Sequence, residues 1–290
     1  MNRYIALTRI VELGSFTKAA EELGYTQPAL SQMIASLEND LSIKLLNRSR
    51  FGISLTPDGE RLYPSIVDTV CRYSSLQEIA SEIRGLEEGT VHIGTISSIS
   101  CHWLPELIQS FKELYPGVKF ILHQGDWKII SEWVASRHVD FGFINPDAIN
   151  DNMKTYFLKD DPLMAVVSKD SPLAKKDYVT LKELSQEPFL LLEEGSLNEP
   201  LEAFKKAKLE PNISIVAHDD YSIMMMIEKG LGVSILPKLV LHRTNYDIVI
   251  KEIKPTIKRS LGIVSPDFNL LPIASQKFIK FILDNTDKLQ

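Results

Sequence analysis

Four side chains able to read the edge of a base pair, Gln27, Ser31, Gln32 and Ser36, fall close together near the N-terminus. At about 100° per residue, a helix over this segment puts Pro28, Gln32, Ala35, Ser36 and Asn39 on one side, with Gln27 and Ser31 at its N-terminal edge. Leu30, Ile34, Leu37 and Leu41 recur on the opposite side. A glutamine amide can bond an adenine edge at two points, a hydroxyl can donate or accept, and short side chains let a helix sink into the major groove. The same residue types also clothe ordinary solvated helices, so this face alone leaves both readings open. Arg48 and Arg50 follow, beside the turn formers Asn47, Ser49 and Gly52 and the alternation Ile53, Leu55. That pattern suggests a short hairpin carrying two guanidinium groups to the phosphates or the minor groove, where they would position the protein without reading sequence.

A second group is rich in hydroxyls. After the apolar run Val91 to Ile93 come Thr95, Ser97, Ser98 and Ser100, ahead of a helix with Pro105 near its start. Hydroxyls at a helix N-terminus suit a carboxylate, but they also serve as plain caps. Gln124, Asp126, Asn145, Ser196, Asn198, Asp219 and Asp220 stand at other strand ends. One of the two aspartates is expected to cap a helix; if the other faces a cleft, an amine-bearing or metal-bridged ligand becomes possible. Met224, Met225 and Met226 are read as packing. Enzyme chemistry finds little support: the six histidines are scattered, and neither a metalloprotease helix nor a phosphate-cradling loop occurs. Cys71 and Cys101 match no metal spacing.

The elements that must hold these groups are helical at first. Gly14 ends a helix over Arg3 to Leu13; a second, with Thr17 as its cap, ends at Gly24; Thr26 caps a third, with Pro28 in its first turn. Two helices joined by a tight turn make a helix-turn-helix. From Pro57, capped by Thr56, a long helix carries Leu62, Ile66, Val70, Tyr73, Leu76, Ala80 and Ile83 at coiled-coil spacing, with a bend or restart expected near Glu60 because of Pro64. A paired helix of this kind would bring two reading heads together in a two-fold dimer. Beyond Thr90, apolar runs at Val91 to Ile93, Val118 to Leu122, Phe141 to Ile144, Met164 to Val167, Phe189 to Leu192 and Ile213 to Val216 alternate with helix-length segments. This implies an α/β body with mainly parallel sheets and a ligand cleft at the strand ends. The chain is expected to cross back near Ser260 to Ser265, leaving a helix over Pro272 to Leu283 to complete the first lobe, so that a double crossing forms a hinge.

The 290 residues include 32 basic and 38 acidic side chains, a net charge of −6, which excludes a polycation that coats nucleic acid by bulk charge. Contact with DNA must therefore come from a local patch. Arg9 and Glu12 interrupt the first apolar run, and no apolar stretch approaches the ~18 residues of a membrane span, so a soluble, cytoplasmic protein is expected.

The stretch SFTKAAEELGYTQPALSQMIASLENDL, then KLLNR, then LTPDGERL, resembles the LysR-type transcriptional regulators, and the likeness extends over essentially the whole chain. Ser42 stands where that family usually has Gly, and Leu46 where Phe is common. The resemblance implies an N-terminal all-α winged helix-turn-helix (residues 1–58), a long linker and dimerisation helix (59–88), and a C-terminal α/β effector domain (89–290). That domain would be two-lobed and periplasmic-binding-protein-like, with lobe I at about 89–161 and 265–290 and lobe II at about 162–264. Expected partners are double-stranded DNA, a small effector with anions among the candidate classes, and further copies of the chain as a homodimer and then a homotetramer; no catalytic residue, metal or cofactor is expected. The DNA contacts implied are Thr17, Lys18, Thr26, Gln27, Pro28, Ser31, Gln32, Ser36, Arg48 and Arg50, and the effector contacts Thr95, Ser97, Ser98, Gln124, Asn145, Ser196 and Asp220. A periplasmic-type binding protein or an enzyme without a DNA role are the alternatives.

Overall fold

The computed structural model describes residues 1–49, 52–83, 88–149, 153–193, 195 and 197–289, the side chains of 48, 49, 78 and 81–83 excepted. Three helices build the first unit: α1 (Asn2–Leu13), α2 (Phe16–Leu23) and α3 (Gln27–Leu41). They close over Ala6, Leu7, Ile10, Ala19, Ala20, Leu30, Ile34 and Leu37, all buried. Each leucine or isoleucine so removed from water contributes roughly 1.5–3 kcal/mol, so this underside, not the outer face of α3, holds the unit together. Gly14 and Gly24 stop α1 and α2 in left-handed conformations. The cap of α2 differs from expectation: Ser15 rather than Thr17 accepts from the Lys18 N–H, because the helix already starts at Phe16, whose ring is buried. Thr17 is left exposed in the first turn. Ser42 ends α3 at φ 55°, taking the left-handed geometry that glycine would adopt without strain.

The wing is an antiparallel pair, β1 (Leu46–Ser49) and β2 (Gly52–Leu55), and leads into α4 (Pro57–Ile83). Thr56 caps α4 by accepting from the Gly59 N–H at 2.9 Å. A side chain at Gly59 would bring a Cβ to 2.4 Å from the Leu45 carbonyl oxygen, so glycine here lets the wing and the long helix touch. The expected restart near Glu60 does not occur, and α4 runs through Pro64 unbroken. Both Glu60 and Pro64 are exposed, which leaves water to take the carbonyl that the proline deprives of a partner. Along α4, Ile66 and Val67 are buried while Leu76 and Ile79 are exposed.

The body begins with β3 (Glu88–Thr95), α5 (Ser97–His102), α6 (Leu104–Leu114), β4 (Gly117–Gln124), α7 (Trp127–Ala135) and β5 (Phe141–Ile144), with β3 parallel to both β4 and β5. It continues through β6 (Lys154–Ser168), β7 (Tyr178–Val179), α8 (Leu181–Leu184), β8 (Pro188–Leu192), α9 (Glu199–Lys206), β9 (Asn212–Ala217), α10 (Asp220–Glu228), β10 (Ser234–Pro237), β11 (Ile248–Ser265) and α11 (Ile273–Asp284). The expectation of mainly parallel sheets is corrected here. The large sheet has the order β10-β6-β11-β5-β3-β4, and β6 and β11 lie antiparallel over most of their length. These two strands span both lobes: Leu158 and Leu261 belong to the core under α6, α7 and α11, whereas Leu163 and Ile253 belong to the core under α9. Both strands are interrupted by charged residues and carry a proline near the middle, Pro162 in β6 and Pro255 in β11, a pattern that hides an 18-residue strand such as β11 from an apolar-run reading. Parallel pairing joins β3 with β4 and β5, β8 with β9, and β7 with β11, and a parallel bridge links Phe189 of β8 to Val233.

Candidate functional site

The outer face of α3 is open. Gln27, Pro28, Gln32 and Asn39 are exposed, and Ser31, Ala35 and Ser36 are partly so, while Leu30, Ile34 and Leu37 face inward. Thr26 accepts from the Ala29 N–H at 3.3 Å, and Thr17 and Lys18 are exposed on α2 alongside. Ser36 is held at the edge of the face by Arg3, whose Nη1 donates to its Oγ at 2.9 Å and also pairs with Asp40. Arg48 lies on β1 with its side chain outside the described residues, and Arg50 is outside them altogether.

What anchors the wing was not visible as a sequence signal. Glu38, on the buried side of α3, accepts from the Leu45 and Leu46 N–H groups at 2.8 and 3.2 Å and from Lys44 Nζ at 2.7 Å. Burial alone would raise its pKa, but the hydrogen bonds from Lys44 and the two amides outweigh it and hold the carboxyl below its ordinary value. The wing is thereby fixed to α3.

Between the two lobes lies a cavity of about 360 Å³. Ser97, Gln124 and Asp220 line it, together with Asp126, Trp127, Glu193, His218 and Asp219. Ser97 Oγ donates across the lobes to Asp220 Oδ2 at 2.8 Å. The two adjacent aspartates divide the roles the sequence left open: Asp219 caps α10, accepting from Ser222 N–H and Oγ at 2.7 Å each, and Asp220 is buried in the cleft. Burial raises the Asp220 pKa against the opposing effects of Ser97 and Arg259.

Three of the expected effector residues are placed elsewhere. Thr95 is fully buried, its hydroxyl taken up by the Ile96 carbonyl and Ser100. Ser98 accepts from Arg259 Nη2 at 3.0 Å inside the protein. Asn145 donates to Glu199 Oε1 at 2.7 Å and borders a different cavity. In each case the strand-to-helix turn rotates successive side chains apart, so only Ser97 of the hydroxyl group reaches the cleft. Ser196 lies outside the described residues.

Behind the cavity sits a pair that no sequence signal disclosed. Arg259, on β11, is 1% exposed and bonds Asp161 of β6 through Nε at 3.0 Å. Asp161 also accepts from the Leu239 N–H, and burial raises its pKa despite Arg259. Since Arg259 also holds Ser98 of α5, both crossing strands and the first lobe meet at one guanidinium.

The N-terminal unit touches the body directly. Asp68 of α4 pairs with Arg137 at 2.5 Å, next to His92, His123 and His138, whose rings lie 6.0 and 4.7 Å apart in sequence. Among the described residues, no group of His, Cys, Asp and Glu could hold a metal ion, and no helix is long and apolar enough to cross a membrane.

The comparisons agree with this architecture. Residues 1–60 match the model of the bacterial regulatory helix-turn-helix protein, lysR family, and residues 84–287 match the LysR substrate binding domain. The chain is 31% identical over 275 residues to the HTH-type transcriptional regulator YvbU of Bacillus subtilis (strain 168), covering 94% of each. Among solved structures it is similar to full-length OxyR from Pseudomonas aeruginosa (TM-score 0.78, 21% identity, 99% of this chain and 94% of that one). It is also similar to full-length CbnR in complex with its target DNA (TM-score 0.65, 20% identity, 98% of each). The chain belongs to the LysR family of helix-turn-helix transcription regulators.

Proposed function

We propose that this regulator acts in the cytoplasm, without enzymatic activity, by reading base edges with the outer face of α3 and by answering to a small molecule held between its lobes. The observation that carries the reading is the exposed amide and hydroxyl face of α3, presented over an underside of Leu30, Ile34 and Leu37. Gln27, Pro28, Ser31, Gln32 and Ser36 meet base edges; Thr17, Lys18, Thr26, Arg48 and Arg50 meet the backbone. The functional units are residues 1–58, 59–88 and 89–290, and the exposed Leu76 and Ile79 on the distal part of α4 pair with a second copy to give a dimer and, from it, a tetramer. In the effector domain, Ser97, Gln124 and Asp220 contact the ligand, while Thr95, Ser98 and Asn145 position the elements that carry them. Gel-shift titrations on the operator and on random duplex test the division of labour. Gln32→Ala is expected to relax preference at one base pair by about 1–3 kcal/mol, and Arg50→Ala to weaken both duplexes alike and flatten the salt dependence. Equal losses on both duplexes for both variants would refute it.

A further inference from the structure

The cavity between the lobes carries more information than its position. Its lining includes four carboxylates, Asp126, Glu193, Asp219 and Asp220, and no lysine or arginine. His218, the remaining ionisable group of the lining, lies 3.7 Å from Glu193 and is 77% exposed. Asp126 and Asp219 spend oxygens on capping helices, yet keep their charge. Asp220 is different. It is only 6% exposed, one oxygen accepts from Ser97, and Oδ1 has no partner among the described residues. A buried carboxylate oxygen left without a donor has given up its water and gained nothing in return, and a ligand that supplies the donor makes good that loss. Trp127, wholly buried in the same wall, offers an indole N–H that is likewise unpartnered, and Ile96 and Leu192 add apolar surface. Arg259, buried behind the cavity with its guanidinium 5.9 Å from the Trp127 ring, donates to Asp161 and Ser98 and offsets only part of the burial that raises the Asp220 pKa.

We infer that the effector is a small organic cation, an amine whose ammonium group donates to Asp220 Oδ1 while its carbon chain lies against Trp127 and Leu192. This departs from the anion that the hydroxyls after β3 suggest, because only Ser97 of those hydroxyls reaches the cavity, and there it donates to a carboxylate. The inference rests on the cavity being the effector site.

The experiment uses the full chain and three five-carbon probes that differ in charge: cadaverine, the diol with hydroxyls at both ends, and glutarate. Thermal melting and calorimetry at millimolar probe read binding, and operator gel shifts are run on the same samples. Cadaverine is expected to raise the melting temperature and to bind about tenfold or more tightly to the wild type than to Asp220→Asn, which keeps an acceptor for Ser97 but loses the charge. Glu193→Gln, at the exposed rim, is expected to weaken it by less than Asp220→Asn. Glutarate binding in place of cadaverine, with loss in Ser97→Ala, would overturn the cation while leaving the cavity as the effector site. Cadaverine binding equally to wild type and Asp220→Asn, or no binding by cadaverine at all, would overturn the inference. Operator retention in every arm keeps the DNA-reading function separate from these outcomes.

Discussion

The outer face of α3 and the cavity between the lobes are both polar, but they are built on opposite principles. Gln27, Gln32 and Asn39 stand exposed over the buried leucines of α3, open to water. Asp161, Arg259, Ser98 and Asp220 are buried; Asp161 pairs with Arg259 and Ser98 accepts from it, while Asp220 receives one hydrogen bond, from Ser97. Function and stability are therefore separable on α3 and entangled in the body. Substitutions on the reading face should leave folding nearly untouched, within about 0.5 kcal/mol, whereas those behind the cavity should not.

The largest effect expected is at Asp161. Asp161→Asn leaves Arg259 charged, 1% exposed and without its counter-ion, and should cost roughly 3–5 kcal/mol in urea unfolding of the full chain. Arg259→Met together with Asp161→Leu removes both charges and should recover much of that loss, although Ser98 then loses its tether to β11. A loss for Asp161→Asn no greater than that for Gln32→Ala would break the contrast between the two regions.

Glu38 sharpens the contrast, because it is the point where the reading head resembles the body. Glu38→Ala leaves the buried Leu45 and Leu46 N–H groups without their acceptor and should destabilise by about 1–3 kcal/mol, seen as a lower melting temperature. Its carboxyl titrates below the ordinary value, so the stability it contributes is present above the unfolded pKa and is lost as pH falls through the folded one. The acid-side loss of the wild type should be smaller in the variant. Weaker operator binding should accompany it, since the wing is no longer fixed to α3.

These cases also mark how far the sequence could be read. The reading head is local: Thr26, Pro28, the leucine stripe and Gly24 sit within about one helix of each other, so capping and periodicity disclose it. The cap of α2 is misplaced in the sequence reading, because Ser15 and Thr17 can both cap a helix and the buried ring of Phe16 places the cap at Ser15. The body is non-local. Ser97 meets Asp220 across 123 positions and Arg259 meets Ser98 across 161, separations at which no spacing rule operates. Hydroxyls cluster at the turn after β3, but which of them faces the cleft depends on rotations that only the packed lobes fix. The two crossing strands were missed in part because lysines and prolines break their apolar pattern.

The smallest expected effect lies where the two regions touch. His92, beneath α4, is held down at about 4, first by burial and then by His123, Arg9 and His138. Its folded pKa is below its unfolded value, so the unfolded chain takes the proton first; stability is whole above about pH 6.5 and declines as the pH drops toward 4. Asp140 accepts from the His92 N–H and opposes this trend. Burial raises it to about 6, so its contribution is present at low pH and is lost as the pH rises through that value. His92→Gln removes the first contribution and keeps the second. Denaturation midpoints at about pH 7 and about pH 5 should show the wild type losing roughly 1–2 kcal/mol more than the variant over that interval. Identical losses would mean that His92 is free to take its proton within the fold, and that α4 does not shield the body as its ion pair from Asp68 to Arg137 indicates.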